Sequence, residues 1–320
     1  MKILVIRRDN IGDLVCTTPL LAALRQRFPD AWIGVLANSY NAPVLAGNPD
    51  IDEVFVYCKI KHRPPGESVL SMILQRLRML WRLRRMRIDD VILAAPSYQA
   101  SAQRFAHWIK PRRILGGFDS DAVHEVEKVC AVLSAYGITD TPPPCKIIAP
   151  ATQASAAQHH PLIGIHISAR KPSQRWPTDS FVALIKALHQ RHDAAFLLFW
   201  SPGSSSNPLH PGDDEKAQAI LSRCADLPLR AYPTATLEQL IAGLASTDQV
   251  ICSDGGAMHI AAGLGKPIVC LFGDSGLARW CPWGVPHRAL QADSRNVRDI
   301  DVTQVRDAYA ALYEMLEKKS

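Results

Sequence analysis

Short apolar runs alternate along this chain with stretches where apolar residues recur every three or four positions. The runs over residues 3–6, 32–36, 54–57 and 91–94 predict strands. The 3.6-residue pattern predicts helices over 14–28, 68–87 and 121–136. Residues 139–161 break the alternation with Pro142, Pro143, Pro144 and Pro150, followed by Ala, Ser, Gln and His, a linker composition. A second series follows. Strands are predicted over 162–167, 195–200, 249–252 and 268–272, and helices over 178–191, 237–245, 257–264 and 302–318. Alternating β and α elements imply parallel sheets covered by helices on both faces. The expected architecture is α/β: two Rossmann-like, doubly wound domains over 1–150 and 151–320, facing each other across a cleft. The terminal helix is expected on the second domain or packed back on the first.

Composition agrees with two globular cores: 48% hydrophobic and 21% charged residues in a 320-residue chain. The apolar start at Ile3 is stopped by Arg7, Arg8 and Asp9, too early for a secretory segment. No stretch suits a membrane span, so a cytoplasmic protein is expected. The eight cysteines are scattered without a C-x-x-C pair, and no metal site is expected. Charge changes the picture more. Residues 1–150 hold 20 Lys and Arg against 14 Asp and Glu, and the second half is balanced, so the first half carries the net +6. Such asymmetry speaks of a partner rather than of the fold.

Four stretches carry candidate chemistry. The first is Arg7-Arg8-Asp9-Asn10-Ile11-Gly12-Asp13, after the first strand. Gly12 would allow a sharp turn, and Asp13 would be either a helix N-cap bonded to the Val15 or Cys16 amide or a general base. A base would need its pKa raised by desolvation, or a reaction in which the leaving group departs first. The second is Asp254-Gly255-Gly256-Ala257-Met258-His259, at a strand end where a helix opens. It is either a tight turn capped by Asp254 or a diphosphate seat on free amides. The third is the loop 166–177, with Ser168, Arg170, Lys171, Ser173 and Arg175, which reads as a solvated basic loop or a phosphate clamp. The fourth is the helix 68–87, where Arg76, Arg78, Arg82, Arg84, Arg85 and Arg87 interleave with Leu, Met and Trp81. It is either a charged outer face or a surface for an anionic bilayer. No aromatic platform accompanies it, so nucleic acid is not an expected partner. Dinucleotide, P-loop, G-x-S-x-G and H-E-x-x-H motifs are absent, which disfavours a dehydrogenase.

These residues resemble glycosyltransferase family 9, the ADP-heptose:lipopolysaccharide heptosyltransferases. The anchors are Arg7-x-Asp9-Asn10-Ile11-Gly12-Asp13, Thr18-Pro19-x-Leu21, Arg175-Trp176-Pro177, and Asp254-Gly255-Gly256 through Ala262 to Gly265-Lys266-Pro267 and Leu271-Phe272-Gly273. The resemblance implies a GT-B fold and inversion at the anomeric carbon without a metal or other cofactor. It makes Asp13 the catalytic base. It places the donor, ADP-heptose, on Ser168, Arg170, Lys171, Arg175, Asp254, Gly255, Gly256, Met258 and His259. The acceptor, an anionic glycan or glycolipid such as lipopolysaccharide core, falls to Arg7, Asn10, Gly12, Thr17 and Thr18. A cytoplasmic enzyme with peripheral contact at the inner face of the membrane through helix 68–87 fits this implication. The chain departs from the family at Gln174, where a lysine is common, and at Asp274-Ser275, where Pro-Thr is usual. Lys171 or Arg175 would then supply the missing cation. A GT-B epimerase and a non-catalytic nucleotide-sugar-binding protein are the competing readings.

Overall fold

The computed structural model describes residues 1–58, 68–117, 120–150, 160–206 and 212–318. The chain divides into two compact units, Met1–Ile148 and Ala149–Ser320. The first holds β1 (Lys2–Ile6), β2 (Trp32–Asn38), β3 (Glu53–Tyr57), β4 (Asp90–Leu93) and β5 (Arg113–Gly116), all parallel in the order β3-β2-β1-β4-β5. The second holds β6 (Leu162–His166), β7 (Ala195–Trp200), β8 (Leu229–Pro233), β9 (Gln249–Ser253), β10 (Ile268–Phe272) and β11 (His287–Gln291), parallel in the order β11-β10-β9-β6-β7-β8. Central strands such as β9 and β10 are buried at every position, as unbroken apolar runs covered on both faces must be.

Strand order decides where chemistry can sit. In an open parallel sheet, ligands bind beyond the carboxyl ends of strands where the order reverses. That point lies between β1 and β4 in the first unit, and between β6 and β9 in the second. The loops that leave β1, β6 and β9 carry the motifs read from the sequence.

The helix expected over 14–28 is two helices, α1 (Ile11–Val15) and α2 (Thr18–Arg27). Pro19 enters the first turn of α2, and with no N–H it suits a helix start better than a helix interior. The Thr17 and Thr18 hydroxyls donate to the carbonyls of Asp13 and Val15 across the break, at 2.8 and 2.7 Å. The basic helix is α3 (Val69–Arg85). It is followed by α4 (Ala100–Ile109), which the sequence pattern did not predict. The helix expected over 121–136 starts later, as α5 (Glu125–Cys130), and tightens into a 3₁₀ segment at Ala131–Tyr136. The expected linker lies partly outside the described residues; from residue 141 to 150 it has no helix or strand. In the second unit α6 (Thr178–His192), α7 (Asp214–Arg223), α8 (Leu237–Ala245), α9 (Gly256–Gly263), α10 (Leu277–Trp280) and α11 (Val302–Glu317) accompany the sheet. The terminal helix α11 packs on α6, β10 and β11. None of the eight cysteines is in a disulfide.

Candidate functional site

The carboxyl edge of the first sheet is organised by one buried arginine. Arg7 follows β1 directly, and its guanidinium is almost fully enclosed. Its Nη2 donates to Asp13 Oδ1 at 2.7 Å and to Glu125 Oε1 at 2.8 Å, and the Asp9 carboxylate lies 3.1 Å from Nε. Nη1 donates to the Ala94 carbonyl beyond β4, across the switch point. Three carboxylates therefore converge on one cation. Burial works against the charge on Arg7, but Asp13, Asp9 and Glu125 outweigh it, and its pKa lies above the ordinary value.

Asp13 is not the N-cap of α1. Asn10 holds that place, and Asp13 is the third residue of the helix, reaching back. Its Oδ2 accepts from the Asn10 backbone N–H at 3.0 Å and from Asn10 Nδ2 at 2.9 Å. Its side chain keeps 13% of its surface exposed. Burial would raise its pKa, but Arg7 and the Asn10 donors prevail and hold it below the ordinary carboxylate value. The rise by desolvation considered from the sequence is therefore absent. Gly12 lies inside α1 and has no positive φ, so the sharp turn expected there is not made. Arg7, Gly12, Thr17 and Thr18 are buried, and Asn10 is the exposed member of the group. The 8–10 loop is fixed by Asn38, whose Nδ2 donates to the Arg8 and Asp9 carbonyls at 2.9 and 3.0 Å. Glu125 and Asn38 escaped sequence reading because nothing in their local patterns signals contact with the β1 loop.

In the second unit the turn after β9 and the loop after β6 meet, because His166 and Cys252 are register partners. Asp254 Oδ2 accepts from Gln174 Nε2 at 2.9 Å and from Ser275 Oγ at 2.5 Å. Gln174 and Ser275, both at positions where the sequence departs from the pattern it resembles, thus bind the same aspartate. Asp274 takes Lys171 Nζ at 3.0 Å, and this contact lowers the Asp274 pKa. Gly255 is the N-cap of α9, and a side chain built there would meet nothing within 4 Å. The first-turn amides of α9, which have no partner within the helix, and the positive end of its dipole lie beside Asp254. Gly273 is required by close approach, since an added Cβ would lie 2.4 Å from the Ser173 carbonyl oxygen.

The other predicted donor residues divide by exposure. Arg170 is exposed. Arg175 Nε donates to the Ala169 carbonyl at 2.8 Å, and Ser168 Oγ accepts from the Ser201 N–H at 2.9 Å. Met258 is fully buried, and His259, nearly so, sets its ring edge-on to Trp280 at 5.9 Å. Lys216, which the sequence did not flag, holds both ends of the loop after β6. Its Nζ donates to the carbonyls of Ile167 at 3.2 Å and Trp176 at 2.8 Å. Burial, which Asp213 opposes and Arg175 assists, brings its pKa down to about 8. Among the described residues no cluster of three or more His, Cys, Asp or Glu could hold a metal ion.

Helix α3 turns Met72, Leu80 and Leu83 inward and leaves a second apolar stripe outside. Leu70, Ile73, Leu74, Leu77 and Trp81 are all exposed, Leu70 by 67% and Trp81 by 61%. Arg84 and Arg85 extend the stripe, and Trp108 of α4 continues it across a groove that Lys110 also lines. The helix contains no acidic residue. Among the described residues no helix is long and apolar enough to cross a membrane.

A family model described as glycosyltransferase family 9 (heptosyltransferase) matches residues 98–310. Lipopolysaccharide heptosyltransferase 2 of Salmonella typhimurium is 27% identical over 305 residues, covering 86% of this chain and 83% of that protein. Among solved structures, E. coli heptosyltransferase WaaC with ADP superposes with a TM-score of 0.80 at 15% identity, over 98% of this chain and 100% of that one. E. coli ADP-heptose lps heptosyltransferase II gives 0.77 at 22% identity, over the whole of both chains. At these identities the two structures speak to the fold, which is two Rossmann-like units of the GT-B class.

Proposed function

The chain belongs to glycosyltransferase family 9, and from that premise we propose that it is an inverting, metal-independent heptosyltransferase that moves heptose from ADP-heptose onto a hydroxyl of an anionic, lipopolysaccharide-core-type acceptor. A family of transferases favours transfer to an acceptor over epimerisation of the donor or binding without turnover. The observation that carries the mechanism is the Asp13 carboxylate, kept ionised by Arg7 and Asn10 yet still 13% exposed.

The acceptor hydroxyl attacks C1 of the heptose from the face opposite the diphosphate. The new O–C1 bond forms as the C1–O bond to ADP breaks, and Asp13 takes the hydroxyl proton. A carboxylate with a lowered pKa is a weak base. It accepts a proton only once the hydroxyl has become acidic, so C1–O cleavage runs ahead of proton transfer. That order puts the burden on stabilising the departing diphosphate. The amides at Gly255 and Gly256, with Ser168, Arg170, Lys171 and Arg175, supply that stabilisation. Asp254, held by Gln174 and Ser275, orients the sugar hydroxyls, and Met258 and His259 support the helix from within. Arg7, Gly12, Thr17 and Thr18 hold the Asp13 loop in shape, and Asn10 meets the acceptor. The outer face of α3, with Trp81 and Trp108 among arginines, rests on the anionic inner surface of the cytoplasmic membrane, where such acceptors are embedded.

The test follows ADP release from ADP-heptose with and without a heptose-free core acceptor, in the presence of a chelator, with NMR assignment of the product anomer. Acceptor-dependent release, an inverted centre and indifference to chelation are expected. A retained centre, or activity lost on chelation and restored by metal, would overturn the mechanism.

A further inference from the structure

Arg7 and Arg8 are consecutive, but their guanidinium groups end in opposite electrostatic surroundings. Arg7 has three carboxylates. Arg8, 7% exposed, lies over two aromatic rings, 4.7 Å from the Phe105 centroid and 5.3 Å from that of Tyr57. Its Nη2 donates to Ser101 Oγ. A second guanidinium, Arg76 from α3, approaches the same rings at 5.4 Å from Tyr57 and 5.9 Å from Phe105. Its Nη2 donates to the Cys58 carbonyl at 3.3 Å. The Nε atoms of both arginines are buried without a hydrogen-bond partner. Among the described residues neither forms an ion pair with a carboxylate.

This is an uneconomical way to bury positive charge. Enclosed charges are normally paired, and an unpaired N–H in a dry place forfeits its solvation. Attraction to the ring faces offsets only part of that loss. Burial, together with the nearby Arg76 and Arg104, pushes the Arg8 pKa below the ordinary guanidinium value, although Tyr57 and Asp9 oppose the shift. An arrangement of this kind is completed by an anion, and guanidinium forks match the planar oxygens of carboxylate and phosphate. Its position is equally specific. Arg8 follows β1, and Tyr57 ends β3 on the same parallel sheet, so the cluster stands at the edge from which the Asp13 loop departs.

We propose that Arg8 and Arg76, braced on Tyr57 and Phe105, seat an anionic substituent of the acceptor, a phosphate ester or a carboxylate. The proposal rests on the reading above only in assigning the acceptor to the first unit. Held there, the substituent fixes the orientation of the sugar that bears the attacking hydroxyl.

Inorganic phosphate is the direct probe. It is titrated calorimetrically into the full-length protein saturated with ADP, so that the donor side is occupied. Arg8→Gln and Arg76→Gln should each weaken binding by about tenfold or more, the scale of a lost charge-assisted contact. Arg112→Gln, an exposed arginine before β5 at the opposite end of the sheet, should leave it unchanged. Should Arg8→Gln not fold, Arg76→Gln and Arg8→Lys carry the test. Equal affinity in wild type and both glutamine variants overturns the proposal.

The kinetic arm separates the sources. The variants should raise the acceptor KM and leave the donor KM in place. If removing the acceptor's phosphates erases the difference between wild type and Arg76→Gln, the anion is a phosphate. If the difference survives and disappears on reducing the acceptor's carboxylates, it is a carboxylate. An unchanged acceptor KM in both variants refutes the site even where transfer itself is normal. A wild-type protein that binds phosphate through these arginines but transfers nothing would instead refute the transferase reading.

Discussion

Replacing Asp13 by Asn separates its two roles, because they differ in size. The carboxylate accepts from Arg7 Nη2 at 2.7 Å and from two Asn10 donors at 3.0 and 2.9 Å. The amide keeps the shape of the side chain and loses its charge. Arg7 is not stranded, since Glu125 remains 2.8 Å away and Asp9 3.1 Å. The loss of stability should therefore be about that of a helix-start interaction, ~1–2 kcal/mol. Loss of a general base costs roughly 10²–10⁴-fold in turnover, which is about 2.7–5.4 kcal/mol in the barrier.

Two measurements check this: the rate of ADP release at saturating donor and acceptor, and urea unfolding of the same preparations. The pH dependence adds a sign. The folded pKa of Asp13 is lowered, so its stabilisation is fully present above the unfolded carboxylate value, ~3.9, and is lost as pH falls through the folded value. The stability gap between wild type and Asp13→Asn should be flat from neutral pH to about pH 5 and shrink in more acidic solution. A variant that unfolds more easily but retains kcat within about a factor of three would make Asp13 a helix-start residue and nothing more.

Three further outcomes follow from the geometry. Arg7→Leu leaves Asp9, Asp13 and Glu125 around an apolar side chain, and denaturant unfolding should register a loss of about 3–5 kcal/mol, or no folded protein. Lys216 has a folded pKa of about 8, below its unfolded value of ~10.4. Between those two pH values the unfolded state binds the extra proton, so stability rises with pH, and Lys216→Met should lack that alkaline gain in thermal melts relative to wild type. Trp81→Glu should reduce co-sedimentation with phosphatidylglycerol-containing vesicles severalfold and leave the little binding to neutral vesicles unchanged, at intact thermal stability. Unchanged sedimentation would mean that the outer stripe of α3 meets something other than an anionic bilayer.

The strands that patterning missed share a physical character. β5 (Arg113–Gly116), β8 (Leu229–Pro233) and β11 (His287–Gln291) are edge strands with partly exposed, mixed sequences. An edge strand buries little and owes its existence to backbone pairing with one neighbour, which leaves a weak mark in the sequence. Central strands are enclosed on both faces and must be apolar throughout, so β7 and β10 were legible to the residue. The break between α1 and α2 was read through as one helix: Pro19 fits a helix start, but the Thr17 and Thr18 hydroxyls that make the break tolerable had no visible partner in the sequence.

The sequence by itself determined the alternation of strand and helix, two sheets, and three strand-end loops that carry candidate chemistry, because turns at strand ends need particular residues in particular order. It named Asp13, Asp254, Gly255 and Gly256 from local context. The charge state of Asp13 was beyond its reach. That depends on Arg7, which in turn is shared with Glu125, 118 positions away, and such a bond exists only once β1, β4 and α5 are assembled. The pairing of Gln174 and Ser275 on Asp254 was likewise decided by the adjacency of β6, β9 and β10. Local propensity is a property of neighbouring residues along the chain. Electrostatic environment is a property of neighbours in space, and tertiary structure alone supplies those.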